Sequence, residues 1–437
     1  MNKSQQKTRR HFLQTGSAFI GAALAVPTLI PSSALGNQHT AAPSERIVMG
    51  FIGMGTMGEG HVFDRAWTYM PGGYIGRKDV QVAAICDVWK QKREKYAHMV
   101  DAYYTQHRGQ AHDKPCKAFP DFRDLLDWDM IDAVLIATPI HWHAIMAVMA
   151  AQAGKDVYCE KPTAGTIHES QAMVKIFTQN KRVFQAGTQQ RSEYEGKFRK
   201  ACEYIRNGRI GAVKEIYAFR DGGGVMWPQQ VGEVKPIPDG LDWDLWLGPA
   251  PKIPYQGRAD AHYFGFGGIN WGQHHYDIVQ WALNADRTGP VEVFYDEGHA
   301  AYRYANGVVV YGRPYPGSQI SETGGAWFIG TKGKIAVDRT HLISDPPDIL
   351  QKPLGPDAER VYHSDSHSGN FLECIKTRKR TICDIQTAHR AASVMLLGGI
   401  AIRLKRNLTW DPKIERFIGD DEANRYLSLA KRDPWIV

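Results

Sequence analysis

Two residues of this chain are suited by type and setting to move a proton. Lys161 stands in Glu160-Lys161-Pro162, just beyond the apolar segment Asp156 to Cys159. An ammonium at a strand end can hydrogen-bond a substrate hydroxyl, and burial or neighbouring charge can bring its pKa into the range of a proton carrier. Pro162 fixes the backbone beside it, a cis bond being one way to do so. His274 lies in Gly267-Gly268-Ile269-Asn270-Trp271-Gly272-Gln273-His274-His275-Tyr276-Asp277. On a helix, Asn270 and His274 share a face and Asp277 is a near neighbour of His274. Histidine titrates near neutral pH and suits acid–base work. Asn270, Trp271, Asp277 and Arg191 are the candidate substrate contacts. Asn270 can hydrogen-bond a hydroxyl but cannot take its proton. Each feature alone has a plainer reading, Glu-Lys-Pro as a surface turn and the histidine as a packing residue.

A second set of residues is built to bind. Gly53-Met54-Gly55-Thr56-Met57-Gly58 follows the apolar run Arg46 to Ile52 and precedes Glu59 to Trp67, which can be helical. A G-x-G-x-x-G between a strand and a helix is the dinucleotide fingerprint. Gly53 makes the tight turn, Gly55 admits a pyrophosphate, and Gly58 lets helix and strand approach. The backbone N–H groups about Thr56 and Met57 would face the phosphates. Asp87 ends the apolar segment Val80 to Cys86 and would accept hydrogen bonds from an adenosine ribose, favouring NAD. It lies 34 residues after Gly53, against about 20 in the usual unit. The insertion Tyr69 to Lys78 accounts for the excess. Lys90, Lys92 and Arg93 just beyond leave NADP possible. Thr138-Pro139-Ile140-His141-Trp142-His143 follows another apolar run, Ile131 to Ala137. Pro139 starts a helix comfortably. His141 reads as exposed or capping, whereas Trp142 and His143 are placed to line a nicotinamide pocket.

These residues require a sheet whose strand ends converge. Runs of strand and helix alternate from residue 45 to about 165, as in an open parallel sheet that binds ligands outside its carboxyl ends. Beyond it, Val213 to Arg220 and Val291 to Tyr295 read as strands. Ala301 to Tyr311 reads as a hairpin about Asn306-Gly307, and Trp327 to Val337 as another about Thr331-Lys332-Gly333. Strands in series predict a largely antiparallel second sheet. Ile385 to Arg403 reads as a long helix, and Gly222 to Asp239 as an irregular surface segment. The expected division is a segment 1–36, a linker 37–44, a first domain 45–165 and a second domain 166–437.

The first segment is read as a targeting device. Thr8-Arg9-Arg10-His11-Phe12-Leu13-Gln14 resembles a twin-arginine export signal, and the apolar stretch Phe19 to Ile30 follows it. That stretch is shorter than the ~20 residues a membrane span needs and is broken by Pro27 and Pro31. The expectation is export to the periplasm through the twin-arginine machinery, cleavage near Gly36, and no membrane attachment afterwards. Residues 1–36 hold four basic residues and no acids, leaving +3 of the chain's +7. That is too mild for a nucleic-acid partner. The six cysteines show no C-x-x-C or zinc spacing, so no metal is expected, and folding in the reducing cytoplasm before export predicts free thiols. Twelve tryptophans, among them Trp227, Trp243, Trp246 and Trp271, include candidates for stacking on sugar faces, although core packing explains most of them.

Taken in order, these motifs resemble the Gfo/Idh/MocA oxidoreductases. The glycine fingerprint, Ala137-Thr138-Pro139, Glu160-Lys161-Pro162, the histidine cluster, Ile329-Gly330-Thr331-Lys332-Gly333 and Asn370-Phe371 carry the likeness over residues 45–437. The resemblance implies an N-terminal Rossmann domain and a C-terminal α/β domain with a large open, mostly antiparallel sheet that forms dimer or tetramer contacts. It implies Lys161 and His274 as the catalytic pair, and Trp142, His143, Glu160 and Gln189 beside the cofactor. The family's sugar dehydrogenases usually carry Asp where this chain has Asn270. Thr138 to His143 also resembles the corresponding segment of the family's NAD-dependent glycosidases, such as the α-N-acetylgalactosaminidases. The expected activity is hydride transfer between a sugar carbon and a tightly held NAD. Redox-neutral glycoside cleavage on the same cofactor is the alternative, and a catalytically silent sugar-binding protein is the reading from another class.

Overall fold

A computed structural model of the 437-residue chain describes residues 42, 45–64, 70–108, 115–218, 233–257, 269–318 and 325–436, the side chains of 269 and 270 excepted. The candidate export signal, Gly267 and Gly268, Trp227, and the side chain of Asn270 therefore lie outside the described residues.

The first sheet is built from β1 (Ile47–Ile52), β2 (Val80–Cys86), β3 (Lys117–Phe119), β4 (Ala133–Ile136), β5 (Asp156–Cys159) and β6 (Phe184–Ala186). All its pairs are parallel, in the order β3-β2-β1-β4-β5-β6. Strands covered on both faces are mostly apolar, and β4, β5 and β6 are buried at every position, the polar Asp156 and Gln185 being satisfied by Arg378 and the His367 carbonyl. Helices cross between the strands: α1 (Thr56–Phe63), α2 (Lys90–Arg108), α3 (Ile140–Gln152) and α4 (Ile167–Asn180). The order reverses between β1 and β4, and the carboxyl ends of adjacent strands carry Gly53, Asp87, Ala137 and Glu160. This is the crevice where an open sheet receives its ligand.

The second sheet holds β7 (Val213–Ala218), β8 (Glu292–Asp296), β9 (His299–Arg303), β10 (Val309–Tyr311), β11 (Ala326–Gly330), β12 (Lys334–Val337), β13 (Leu342–Asp345), β14 (Leu408–Asp411) and β15 (Arg416–Phe417). Their order is β13-β12-β11-β7-β10-β9-β8-β14-β15, and only β7 and β10 pair in parallel. Both expected hairpins form, β9 with β10 and β11 with β12. Gly307 takes the left-handed backbone the first of these turns requires, at φ +86°. The remaining long helices are α5 (Lys197–Arg206), α6 (Ile269–Ala282), α7 (His367–Thr377) and α8 (Ile385–Leu404).

The parallel sheet continues past residue 165, since α4 and β6 complete it. Three-residue β6 carries too short a pattern to be seen as a strand. A second departure concerns the core. Phe371, Leu372, Cys374 and Ile375 of α7 belong to the same apolar cluster as Ile47, Met49 and Phe51 of β1. The helix is tied there by Gln185 Nε2 donating to the His367 carbonyl at 2.7 Å and by Arg378 pairing with Asp156. All six cysteines are buried and free. Among the described residues no helix is long and apolar enough to cross a membrane.

Candidate active site

Three glycines of the fingerprint have three different reasons. Gly53 has φ +90°, and a Cβ there would meet the Ala137 carbonyl oxygen at 2.7 Å. A Cβ on Gly58 would collide with the Gly53 carbonyl. Both are therefore demanded by the protein's own packing. A Cβ on Gly55 would meet nothing within 4 Å. Gly55 is also the N-cap of α1 and has no side-chain cap, so the first N–H groups of the helix, at Thr56 and Met57, are left to a ligand. Open space and free donors at one helix end fit a dinucleotide pyrophosphate. Asp87 stands alongside, its Oδ2 accepting from Met54 N at 2.8 Å and its Oδ1 from Trp89 N at 2.8 Å. A carboxylate retains acceptor capacity beyond two such bonds, so the ribose role expected for Asp87 remains open to it.

Lys161 emerges beyond β5 on a cis Lys161-Pro162 bond. Burial pushes its ammonium down to about 8, against the pull of Glu160 and with help from the Arg339 charge. Glu160 itself is buried, its Oε1 within 2.9 Å of His61 Nε2 and 3.0 Å of the Gln189 amide. Burial alone would raise its carboxyl, but the His61 hydrogen bond and the charges of His61 and Lys161 outweigh it and hold the pKa below the usual value. A Cβ on Gly187 would meet that carboxylate at 2.8 Å, which is why the strand-end residue there is glycine. His143 bridges the two strand ends, with Nδ1 2.7 Å from the Pro162 carbonyl and Nε2 2.7 Å from that of Thr138.

His274 arrives from the other domain on α6. The adjoining Gln273 side chain accepts from Thr163 N at 2.8 Å, two residues past Lys161, and so fastens α6 to the strand-end loop. Lys161 Nζ lies 6.0 Å from the Trp271 ring centroid, and the Trp271 and His274 rings are 5.8 Å apart. Burial, then the charges of Lys161 and Arg339, hold the His274 pKa well below its ordinary value, so the ring is neutral. Its buried Nδ1 has no hydrogen-bond partner among the described residues.

Residues 47–188 match the description "Oxidoreductase family, NAD-binding Rossmann fold" and residues 224–437 match "Oxidoreductase family, C-terminal alpha/beta domain", both of the Gfo/Idh/MocA group. The chain belongs to the Gfo/Idh/MocA oxidoreductase family. Among its relatives are a "Glycosyl hydrolase family 109 protein" of Shewanella pealeana, 32% identical over 37% of this chain, and an "Alpha-N-acetylgalactosaminidase" of Shewanella oneidensis, 30% identical over the same share. These matches span about 35% of each relative's length. Among solved structures, the WlbA dehydrogenase of Bordetella pertussis in complex with NADH and UDP-GlcNAcA is similar at TM-score 0.56 and 17% identity, covering 84% of this chain and 98% of that one. The cofactor of this Gfo/Idh/MocA member is NAD(P), and the open Gly55 cradle fits it.

Not every residue expected at the site presents itself there. Arg191 and Asp277 were expected to contact substrate, but they are spent on each other. The guanidinium makes two 2.8 Å bonds to the Asp277 carboxylate and two more of 2.8 Å to Asp286. Arg191 and Asp277 are buried, so this clamp holds α6 against the chain after β6 instead of facing a ligand. Burial raises the Asp277 carboxyl to about 6, with Arg191 opposing. Trp142 donates its only polar hydrogen to the Leu245 and Trp246 carbonyls, and its ring packs edge-on to Phe122 and Trp435, so no N–H remains for a cofactor. Gln189 Nε2 donates to Glu160 Oε1 at 3.0 Å, beside Lys161. His141, read as exposed or capping, is buried with Nε2 2.9 Å from the Trp246 carbonyl, and burial lowers its pKa to about 4. Trp243 and Trp246 stack on one another in the core, with 4.6 Å between centroids. Two functional neighbours escaped the sequence reading altogether. His61 carries no motif beyond its place on the fingerprint helix, and Arg339 lies two residues past a short strand.

Proposed function

We propose that this Gfo/Idh/MocA protein oxidises or reduces a hydroxyl-bearing carbon of a sugar or glycoside on a tightly held NAD, and that it does so after export to the periplasm. The observation that carries the reading is Lys161, an amine brought to about 8, set beside a neutral His274 at the carboxyl edge of a NAD(P)-binding sheet. Bound nicotinamide supplies the site for hydride. The protein supplies the proton path. Lys161 hydrogen-bonds the reacting hydroxyl and takes its proton when neutral. Glu160, kept anionic by His61, prevents the lysine pKa from falling further. His274 can accept or give a hydrogen bond at Nδ1, which has no partner among the described residues. The Asp87 carboxylate favours NAD over NADP. The half-buried aromatic stacks of Tyr217 with Tyr311 on the second sheet support a homodimer or homotetramer formed through that face.

The kinship with two relatives named for glycoside hydrolysis favours a second reading. In it, one cycle oxidises the sugar, expels the aglycone, adds water and reduces the sugar again. Such a cycle needs no exchange of cofactor, which suits a compartment with little free NAD. Two measurements test both readings. Mass spectrometry of the denatured, purified protein should recover NAD(H), and recovery of none together with no binding of added NAD or NADP would defeat them. Product analysis with glycosides then separates them. Free sugar without net oxidation marks the hydrolase, and a keto-sugar or lactone marks the oxidoreductase.

A further inference from the structure

Among the described residues, Arg339 is a cation that the fold holds beside Trp271 without a carboxylate partner. It follows β12, on the sheet opposite the cofactor strands. Its guanidinium lies 4.6 Å from the Trp271 ring centroid and 5.1 Å from that of Tyr194. Trp271 is the ring that also neighbours Lys161 and His274. The only hydrogen bond Arg339 makes among the described residues is a long one, 3.5 Å from Nη2 to Gln190 Oε1, and its buried Nε has none. The nearby acids are engaged elsewhere. Asp338 accepts from Thr340 N at 2.7 Å and lies 3.1 Å from the His341 ring. Glu193 accepts from His367 N at 2.7 Å. Glu160 is shared between His61 and Gln189.

Arginine in a protein ordinarily meets carboxylates, and a guanidinium offers five donors in a planar fork. Aromatic faces attract its charge without neutralising it or satisfying those donors. The fork is therefore oriented and left largely unspent. Its charge is felt at the reacting groups, since it depresses both Lys161 and His274. The uncapped N-terminus of α1, on the other domain, would hold the cofactor's phosphates. We propose that Arg339 binds an oxyanion carried by the substrate, so that the preferred substrate is an acidic sugar, a carboxylate or phosphate ester, with its anion one side of the pocket and its reacting hydroxyl at Lys161. This rests on the sugar oxidoreductase reading and narrows it.

The test measures sugar binding to the NAD-loaded full chain by calorimetry. The probes are glucuronate and galacturonate, glucose 6-phosphate and galactose 6-phosphate, and the neutral parents glucose and galactose. At least one acidic probe should bind about tenfold or more tightly than its neutral parent, the scale of a charge-assisted hydrogen bond. The uronate and phosphate arms show which oxyanion the site takes. Arg339→Gln should erase that preference while changing the neutral-parent affinity less than about threefold. Arg339→Lys, which keeps charge and loses the fork, should retain part of it. The melting temperature without ligands reports the fold of each variant. The proposal is overturned if acidic probes show no advantage, if none binds while NAD does, or if the advantage survives Arg339→Gln. Loss of NAD binding in the folded Arg339→Gln variant would instead place the arginine at the cofactor and overturn it as well. Failure of the unaltered protein to bind NAD refutes the underlying oxidoreductase reading, a separate outcome.

Discussion

At the scale of residues, the site depends on which of several buried charges has a partner. Lys161 sits beside one satisfied acid and one unsatisfied cation, and its pKa near 8 is the resultant. Below about 8 the amine is charged and cannot take a proton; above it the amine is neutral and can. The kcat/KM for oxidation should therefore climb up to tenfold per unit as pH rises toward 8 and level off beyond, with the reduction direction inverted. Lys161→Ala should lower the rate by about 10²–10⁴ and remove this limb. A profile that keeps its limb in that variant would assign the proton to another group. Lys161 and His274 were legible because the sequence places them at a strand end and in a glycine-flanked helical cluster. Arg339 was not, since an arginine past a strand is usually solvated and nothing local tells that it sits against the rings of Trp271 and Tyr194. Arg191 and Asp277 were read as substrate contacts for a similar reason. A polar residue near a motif looks like a ligand contact until its long-range partner is seen.

The element that matters most is the turn from β1 into α1. Its glycines look alike in sequence, and the structure separates them into those the backbone needs and one the backbone does not. Gly55→Ala places a methyl into open space at φ −79° and should leave the ligand-free melting temperature nearly unchanged. The same methyl intrudes on the pyrophosphate space and should weaken NAD binding by tenfold or more, about 1.4 kcal/mol. Gly58→Ala drives a methyl into the Gly53 carbonyl and should cost about 1–3 kcal/mol of stability even without cofactor. Equal effects of the two substitutions on ligand-free stability would contradict this division. Strands β1, β2 and β5 could be placed within a residue from their mostly apolar runs. The short strands β3, β6 and β15 could not, because no periodicity fits in so short a window and no hairpin turn marks them, as Asn306-Gly307 marks three-residue β10.

The whole molecule is less divisible than its two sheets suggest. Both architectures followed from the alternation of strand and helix and from the paired hairpins, but no local pattern could show that α7 covers the first sheet. Phe371 is fully buried and meets Tyr158 of β5 edge-on at 5.8 Å. Phe371→Ala should cost about 3–5 kcal/mol and lower NAD retention, although the residue lies far along the chain from the fingerprint. Denaturant melts of the ligand-free variant, alongside its dinucleotide content after purification, would check both. A loss of stability with undiminished retention would mean that the sheet keeps its ligand crevice without this lid.

That arrangement also sets an order of events for a chain leaving the ribosome. Gln185 and His367 are bonded partners 182 positions apart, so the sheet face that holds Met49 and Tyr158 is made long before its cover exists. Until then it is an exposed apolar surface of the kind that aggregates or recruits chaperones. If Phe371→Ala does lower NAD retention, dinucleotide capture belongs after that interval, once α7 has docked. A pulse-labelled chain would thus pass through a long chaperone-bound, cofactor-free stage, and any route that carries it across a membrane with its dinucleotide aboard must wait for residues 371–375.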